Sequence, residues 1–117
     1  MGRLKTNRKI NLNHTNVCEV RDFIIKLNKL NQRERVKYLK EISVRELAII
    51  GEVILNIIHK NIPIEYNKFS LLKRVKKYLY LLTSKKNSNK IKRGVLSSIK
   101  GLHILSIIFP VVLDFLS

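Results

Sequence analysis

Acidic residues are scarce in this chain. Only 8 Asp and Glu stand against 24 Lys and Arg in 117 residues, a formal net charge of +16. Cysteine occurs once, at Cys18, so no intramolecular disulfide can form and a disulfide-stapled secreted scaffold is excluded. The three histidines, His14, His59 and His103, pair neither with one another nor with Cys18 at ligand spacing. No metal site is expected. Four glycines form neither a G-x-x-x-x-G-K-[ST] nor a G-x-G-x-x-G loop, so no phosphate cradle is encoded. Residues 1–16 lack an apolar run, and no signal peptide is expected. Strand signals and internal repeats are also missing.

The few acids have a structural use. Glu19, Glu34 and Glu46 fall at predicted helix starts, where capping accounts for them without catalysis. His59 closes an apolar helix, where it meets the negative end of the helix dipole. Cys18 has no histidine partner near it in sequence. Neither an enzyme nor a bound cofactor is expected.

What the chain does have is apolar substance. Hydrophobic residues make up 45%, enough for a core and too many for disorder throughout. At this length a single domain is the natural reading. Val17, Val20, Phe23, Ile24, Leu27 and Leu30 keep the 3–4 spacing of one buried helix face, with Asn16 placed as its N-cap. Asn31 and Glu34 open a short polar helix with Val36, Leu39 and Tyr38 inward. Ser43-Val44-Arg45-Glu46 is a capping box, with Ile42 and Leu47 set for a hydrophobic staple. The helix it opens, 44–60, is apolar almost all round and is expected at the centre of the fold. Gly51 inside it marks a close helix–helix approach, and Asn61 and Pro63 end it. A single amphipathic helix is expected over 66–83, and a weaker one after the polar break at 83–89.

The positive charge is laid out unevenly. Residues 1–10 carry Arg3, Lys5, Arg8 and Lys9 with no acid. Residues 11–65 hold nine basic and seven acidic side chains, whereas 66–100 hold eleven basic ones and none acidic. A surface charged only for solubility would intersperse both signs, so a polyanion partner is the better reading. The expected phosphate contacts are Lys73, Arg74, Lys76, Lys77, Lys85, Lys86, Lys90, Lys92 and Arg93, with the arm residues Arg3, Lys5, Arg8 and Lys9. Lysine outnumbers arginine there, which suits phosphate neutralisation rather than bidentate reading of guanine edges. No zinc finger, RNP motif or basic-zipper heptad is present. Non-specific contact with nucleic acid, duplex DNA above all, is therefore expected.

Residues 101–117 form an apolar tail carrying one charge, Asp114. Interrupted by His103, Pro110 and Asp114, its seventeen residues fall short of the ~20 that span a bilayer. Two readings stand side by side. Ile104, Ile107, Ile108, Phe109, Val112 and Phe115 could meet a membrane surface or a capsid partner, or the tail could pack back on the core. Met1-Gly2-Arg3-Leu4-Lys5-Thr6 also fits the N-myristoylation pattern formally, so acylation of Gly2 stays open.

The run Glu46-Leu47-Ala48-Ile49-Ile50-Gly51-Glu52-Val53-Ile54-Leu55-Asn56-Ile57-Ile58, followed by Asn61-Ile62-Pro63-Ile64, resembles small basic proteins of Maverick/Polinton elements and related adintoviruses. In that family an E-x-x-x-N-x-L helix enters a G-N-V-P-L turn. A basic helix, an L-x-x-K-K motif and a lysine-glycine step into a Phe/Leu/Pro-rich end come after it. Glu52 and Asn56, Asn61 to Ile64, Leu82-Thr83-Ser84-Lys85-Lys86, Lys100-Gly101 and Phe109-Pro110 carry the likeness, over roughly residues 20–117. The chain departs from it in having Gly101 alone before the tail, where the family usually has two glycines. It also has Lys60 where the turn often has glycine. The resemblance implies a component of a virion or mobile element, of core or minor-capsid type, with no activity assigned to the family.

The whole reading is an all-α protein, a compact bundle of about four helices with a basic segment and an apolar C-terminal helix or tail. Its parts are a basic flexible arm (1–15), a helical core (16–83), a basic linker or helix (84–100) and an apolar C-terminal segment (101–117). The leading function is a non-specific DNA-packaging protein of a virus or virus-like element. The alternatives are a membrane-active minor virion protein and a capsid-interaction module. The expected location is the virion and host nucleus if viral, and otherwise intracellular. Oligomeric state, host and DNA versus RNA stay open.

Overall fold

Two capping boxes set the first turns of the chain. Asn31 and Ser43 hold extended backbone, with φ of −72° and −70°, and their side chains accept from the N–H groups of Glu34 and Glu46. Both glutamates reach back to the cap N–H, closing the boxes read from the sequence. Ile42 and Leu47, the staple pair, are both buried.

The computed structural model describes residues 17–116. Within them run seven helices: α1 (Val17–Lys29), α2 (Gln32–Lys40), α3 (Val44–Ile58), α4 (Tyr66–Arg74), α5 (Lys76–Thr83), α6 (Asn89–Leu96) and α7 (Ile99–Leu116). The described residues contain no strand. The all-α class therefore holds, while the expected count of about four helices is too low. Asn16, read as the cap of α1, lies outside the described residues, as do Gly2 and the basic arm with Arg3, Lys5, Arg8 and Lys9.

The extra helices have local causes. The stretch 66–83 breaks at Val75, whose φ of −114° and ψ of 23° leave the helical region and split it into α4 and α5. Ser88 caps α6 by accepting from the N–H of Ile91 at 3.2 Å. Ser98 caps α7 by accepting from the N–H of Gly101, also at 3.2 Å. Only Ser97 and Ser98 separate α6 from α7, so the two meet at a sharp corner. Gly101 sits inside it. A Cβ there would lie 2.0 Å from the carbonyl oxygen of Val95 and 2.6 Å from Cα of Leu96, so no other residue fits.

The end of α3 is a Schellman turn. The N–H of Lys60 donates to the carbonyl of Ile57 at 3.0 Å, and that of Asn61 to the carbonyl of Asn56 at 2.8 Å. Lys60 takes φ of 62° to allow this, a left-handed conformation that glycine adopts more readily. The buried Asn56 side chain donates to the Glu52 carbonyl and accepts from Asn61 Nδ2, each at 2.9 Å. Two of the residues that carry the family likeness, Asn56 and Asn61, thus serve the turn.

The core does not end at residue 83. α7 packs against α1, α4 and α6, while α3 packs against α5 and α6. α6, with Leu96 fully buried, touches α2, α3, α5 and α7 and joins the two halves of the interior. A radius of gyration of 13.4 Å matches the roughly 13 Å of one compact domain of this length. The tail residues Ile104, Ile107, Ile108, Phe109 and Val112 are all buried, and Phe115 is half-buried. In this fold the first five are core side chains, and Phe115 packs at the edge of the core. α7 does have 18 residues at mean hydropathy 1.9, long and apolar enough to cross a bilayer, and eight of the 18 are buried among the neighbouring helices. Pro110 is tolerated because it and Ser106, whose carbonyl loses its intrahelical partner, both face solvent.

Candidate nucleic-acid interface

The basic block folds into α4, α5, α6 and the turns between them. Lys73 and Arg74 occupy the last turn of α4, and Lys76 and Lys77 open α5 directly after the break at Val75. Lys85 and Lys86 lie in the turn after α5, while Lys90, Lys92 and Arg93 belong to α6. Lys73, Arg74, Lys76, Lys77, Lys85, Lys86 and Lys90 are all exposed. Lys92 and Arg93 are half-buried.

Arg93 departs from the sequence expectation in part. Its Nε donates to the carbonyl of Ile42 at 2.7 Å and fastens α6 to the turn before α3. Arg35 plays a similar part at the end of α1, donating to the carbonyls of Leu27 and Leu30 at 3.1 Å each. Carbonyls at helix ends and in turns are short of backbone donors, and a guanidinium supplies one without losing its charge. Arg93 therefore has a structural duty before any phosphate is considered.

Electrostatically the two parts of the molecule differ in kind. Glu19, Glu34 and Glu46 in the first part are engaged. Glu19 binds Arg45 through both carboxylate oxygens, and Arg45 holds that carboxyl below the ordinary carboxylate range. Glu46 accepts from the Tyr38 hydroxyl at 2.7 Å, and Lys26 donates to the same hydroxyl at 2.9 Å. Burial, then the bond to Glu46, pushes the Tyr38 hydroxyl above its usual value despite Lys26.

The cations of 66–100 have no such partners. None of them forms an ion pair among the described residues. Two of them meet aromatic rings instead: Lys73 Nζ lies 5.4 Å from the Phe69 ring centre, and Lys77 Nζ 5.8 Å from that of Tyr78. Whereas α4 has Glu65 as its N-cap, the first turns of α5 and α6 contain no acid and carry lysine instead. That placement opposes the helix dipole and favours an incoming anion.

The structure adds residues that the expected contact set left out. Lys60 reaches the Phe69 ring, 5.5 Å from its centre, and so joins Lys73 from outside the block. Lys100, exposed at the start of α7, extends the same charge past α6. The left-handed turn that delivers Lys60 has no signature apart from the missing glycine. Among the described residues no group of three His, Cys, Asp or Glu is placed to hold a metal ion. No protein-family model, curated protein or solved structure matches the chain.

Proposed function

We propose that this is a non-specific DNA-binding protein that packages the genome of a virus or virus-like element, contacting phosphates through the α4–α6 face. One observation carries the reading. Eleven cations in 35 consecutive positions, 66–100, face no acid in sequence and no ion-pair partner among the described residues. Such a surface costs self-repulsion in the isolated fold and gains by releasing counterions from a polyanion. Duplex DNA is favoured because its phosphates are dense and regular, and lysine neutralises phosphate without reading bases. The resemblance to Maverick/Polinton proteins supports the genomic context.

The test is a titration of duplexes of unrelated sequence across a range of salt. With about six to eight phosphates neutralised at once, log affinity falls against log salt with a slope of about −5 to −7. Replacing Lys73, Lys76, Lys77, Lys85 and Lys86 by Gln flattens the slope without lowering the melting temperature, because all five side chains are exposed and their loss relieves self-repulsion. A slope near zero, or strong preference for one short sequence, overturns the reading.

A further inference from the structure

The lysine-bearing face is not polar throughout. Between the second half of α3 and the α4–α5 pair runs an open groove of about 300 Å³. Leu72 and Leu79 are buried beneath it, and Leu55 and Ile58 remain 38% and 36% exposed along one side. The other side carries Lys73, Lys76 and Tyr80, the last 71% exposed. No acidic side chain lines it.

We propose that this groove receives an acidic, amphipathic helix from a partner protein. Its aliphatic lining suits side chains spaced three and four apart on one helical face. Lys73 and Lys76 suit carboxylates flanking those anchors. A second copy of the chain is a poor occupant, since each copy brings +16. The basic arm at residues 1–10 is excluded by the same sign of charge. Bases of single-stranded nucleic acid need open aromatic faces on which to stack. Here the Phe69 ring already has the ammonium groups of Lys60 and Lys73 within 5.5 Å and 5.4 Å of its centre, and the open phenol ring of Tyr80 falls short of the succession of rings on which bases stack. Lys73 and Lys76 belong to both surfaces, so an acidic helix in the groove competes with DNA for two cations.

The experiment uses the full chain and a fluorescent peptide of about fifteen residues, with Leu at alternating three- and four-residue spacings and Glu or Asp between. A scrambled peptide of the same composition is the control. The ordered peptide binds at least about tenfold more tightly than the scrambled one, a difference of about 1.4 kcal/mol. Leu55→Gln with Ile58→Gln weakens the ordered peptide by about tenfold or more, while the chain still melts cooperatively and its duplex DNA affinity is unchanged. Lys73→Gln with Lys76→Gln weakens both ligands. Equal binding of the two peptides overturns the proposal, as does indifference to the Leu55/Ile58 pair. So does an oligothymidylate whose binding, rather than the peptide's, is lost with that pair. Peptide binding without any DNA binding keeps the groove and removes the packaging reading.

Discussion

Helices α3 and α7 are both long and apolar, and each buries about half of its residues, yet they hold opposite positions in the chain's grammar. α3 carries a capping box at one end and a Schellman turn at the other, so its limits are written in its own residues. α7 begins at a corner set by Ser98 and Gly101 and depends on its neighbours for definition. α3 covers α5 and α6, and α7 covers α1, α4 and α6. Local encoding and central placement are thus separate properties. A helix with strong stop signals and a helix with weak ones serve one interior equally.

The sharpest way to break this equivalence is to delete residues 101–117. If α7 is core, the truncated chain loses α1's main cover and its cooperative thermal transition. A truncation that melts like the full chain would reduce α7 to an appendage.

The two helices' glycines sharpen the comparison. Gly101→Ala forces a methyl group into the backbone of Val95 and Leu96 and is expected to cost about 3 kcal/mol or more in a urea melt. Gly51→Ala places its methyl 3.6 Å from the Leu82 carbonyl oxygen, an ordinary contact, and gains up to about 1 kcal/mol of helix propensity. Equal responses at both sites would show that the α6–α7 corner opens at little cost.

The smallest effect lies at the end of α3. Lys60→Gly relieves the left-handed backbone while losing the contact with Phe69, a net gain below about 1 kcal/mol. Lys60→Ala retains the strain and loses the contact, so it should destabilise slightly. If alanine and glycine behaved alike in the same melts, the turn would not govern the helix end.

These contrasts explain what could be read from sequence. Caps are local, so Asn31, Ser43 and the inward face of Val20, Phe23, Ile24 and Leu27 were legible. Gly51 was read as a close approach and does face Leu82, although with room for a methyl group. Val75 breaks a helix without glycine or proline, so the periodic pattern of 66–83 ran straight through it. The tail's apolarity announced a need for cover but not its source. α6 is eight residues long with few apolar positions, and its role as the joint between two halves exists only in three dimensions. The basic face was legible as charge, whereas Arg93's bond to a carbonyl 51 residues away was not.

The pairing of α1 with α7 bears on how the chain is made. The first described helix and the last one share an interface, so Phe23, Ile24 and Leu27 emerge from the ribosome long before the residues that shelter them. Synthesis proceeds from the N-terminus, and α1 must wait in solution as an uncovered amphipathic segment. Folding is therefore completed only once α7 has cleared the exit tunnel. Nascent chains arrested before residue 101 would present α1 to chaperones and proteases rather than a finished cationic surface.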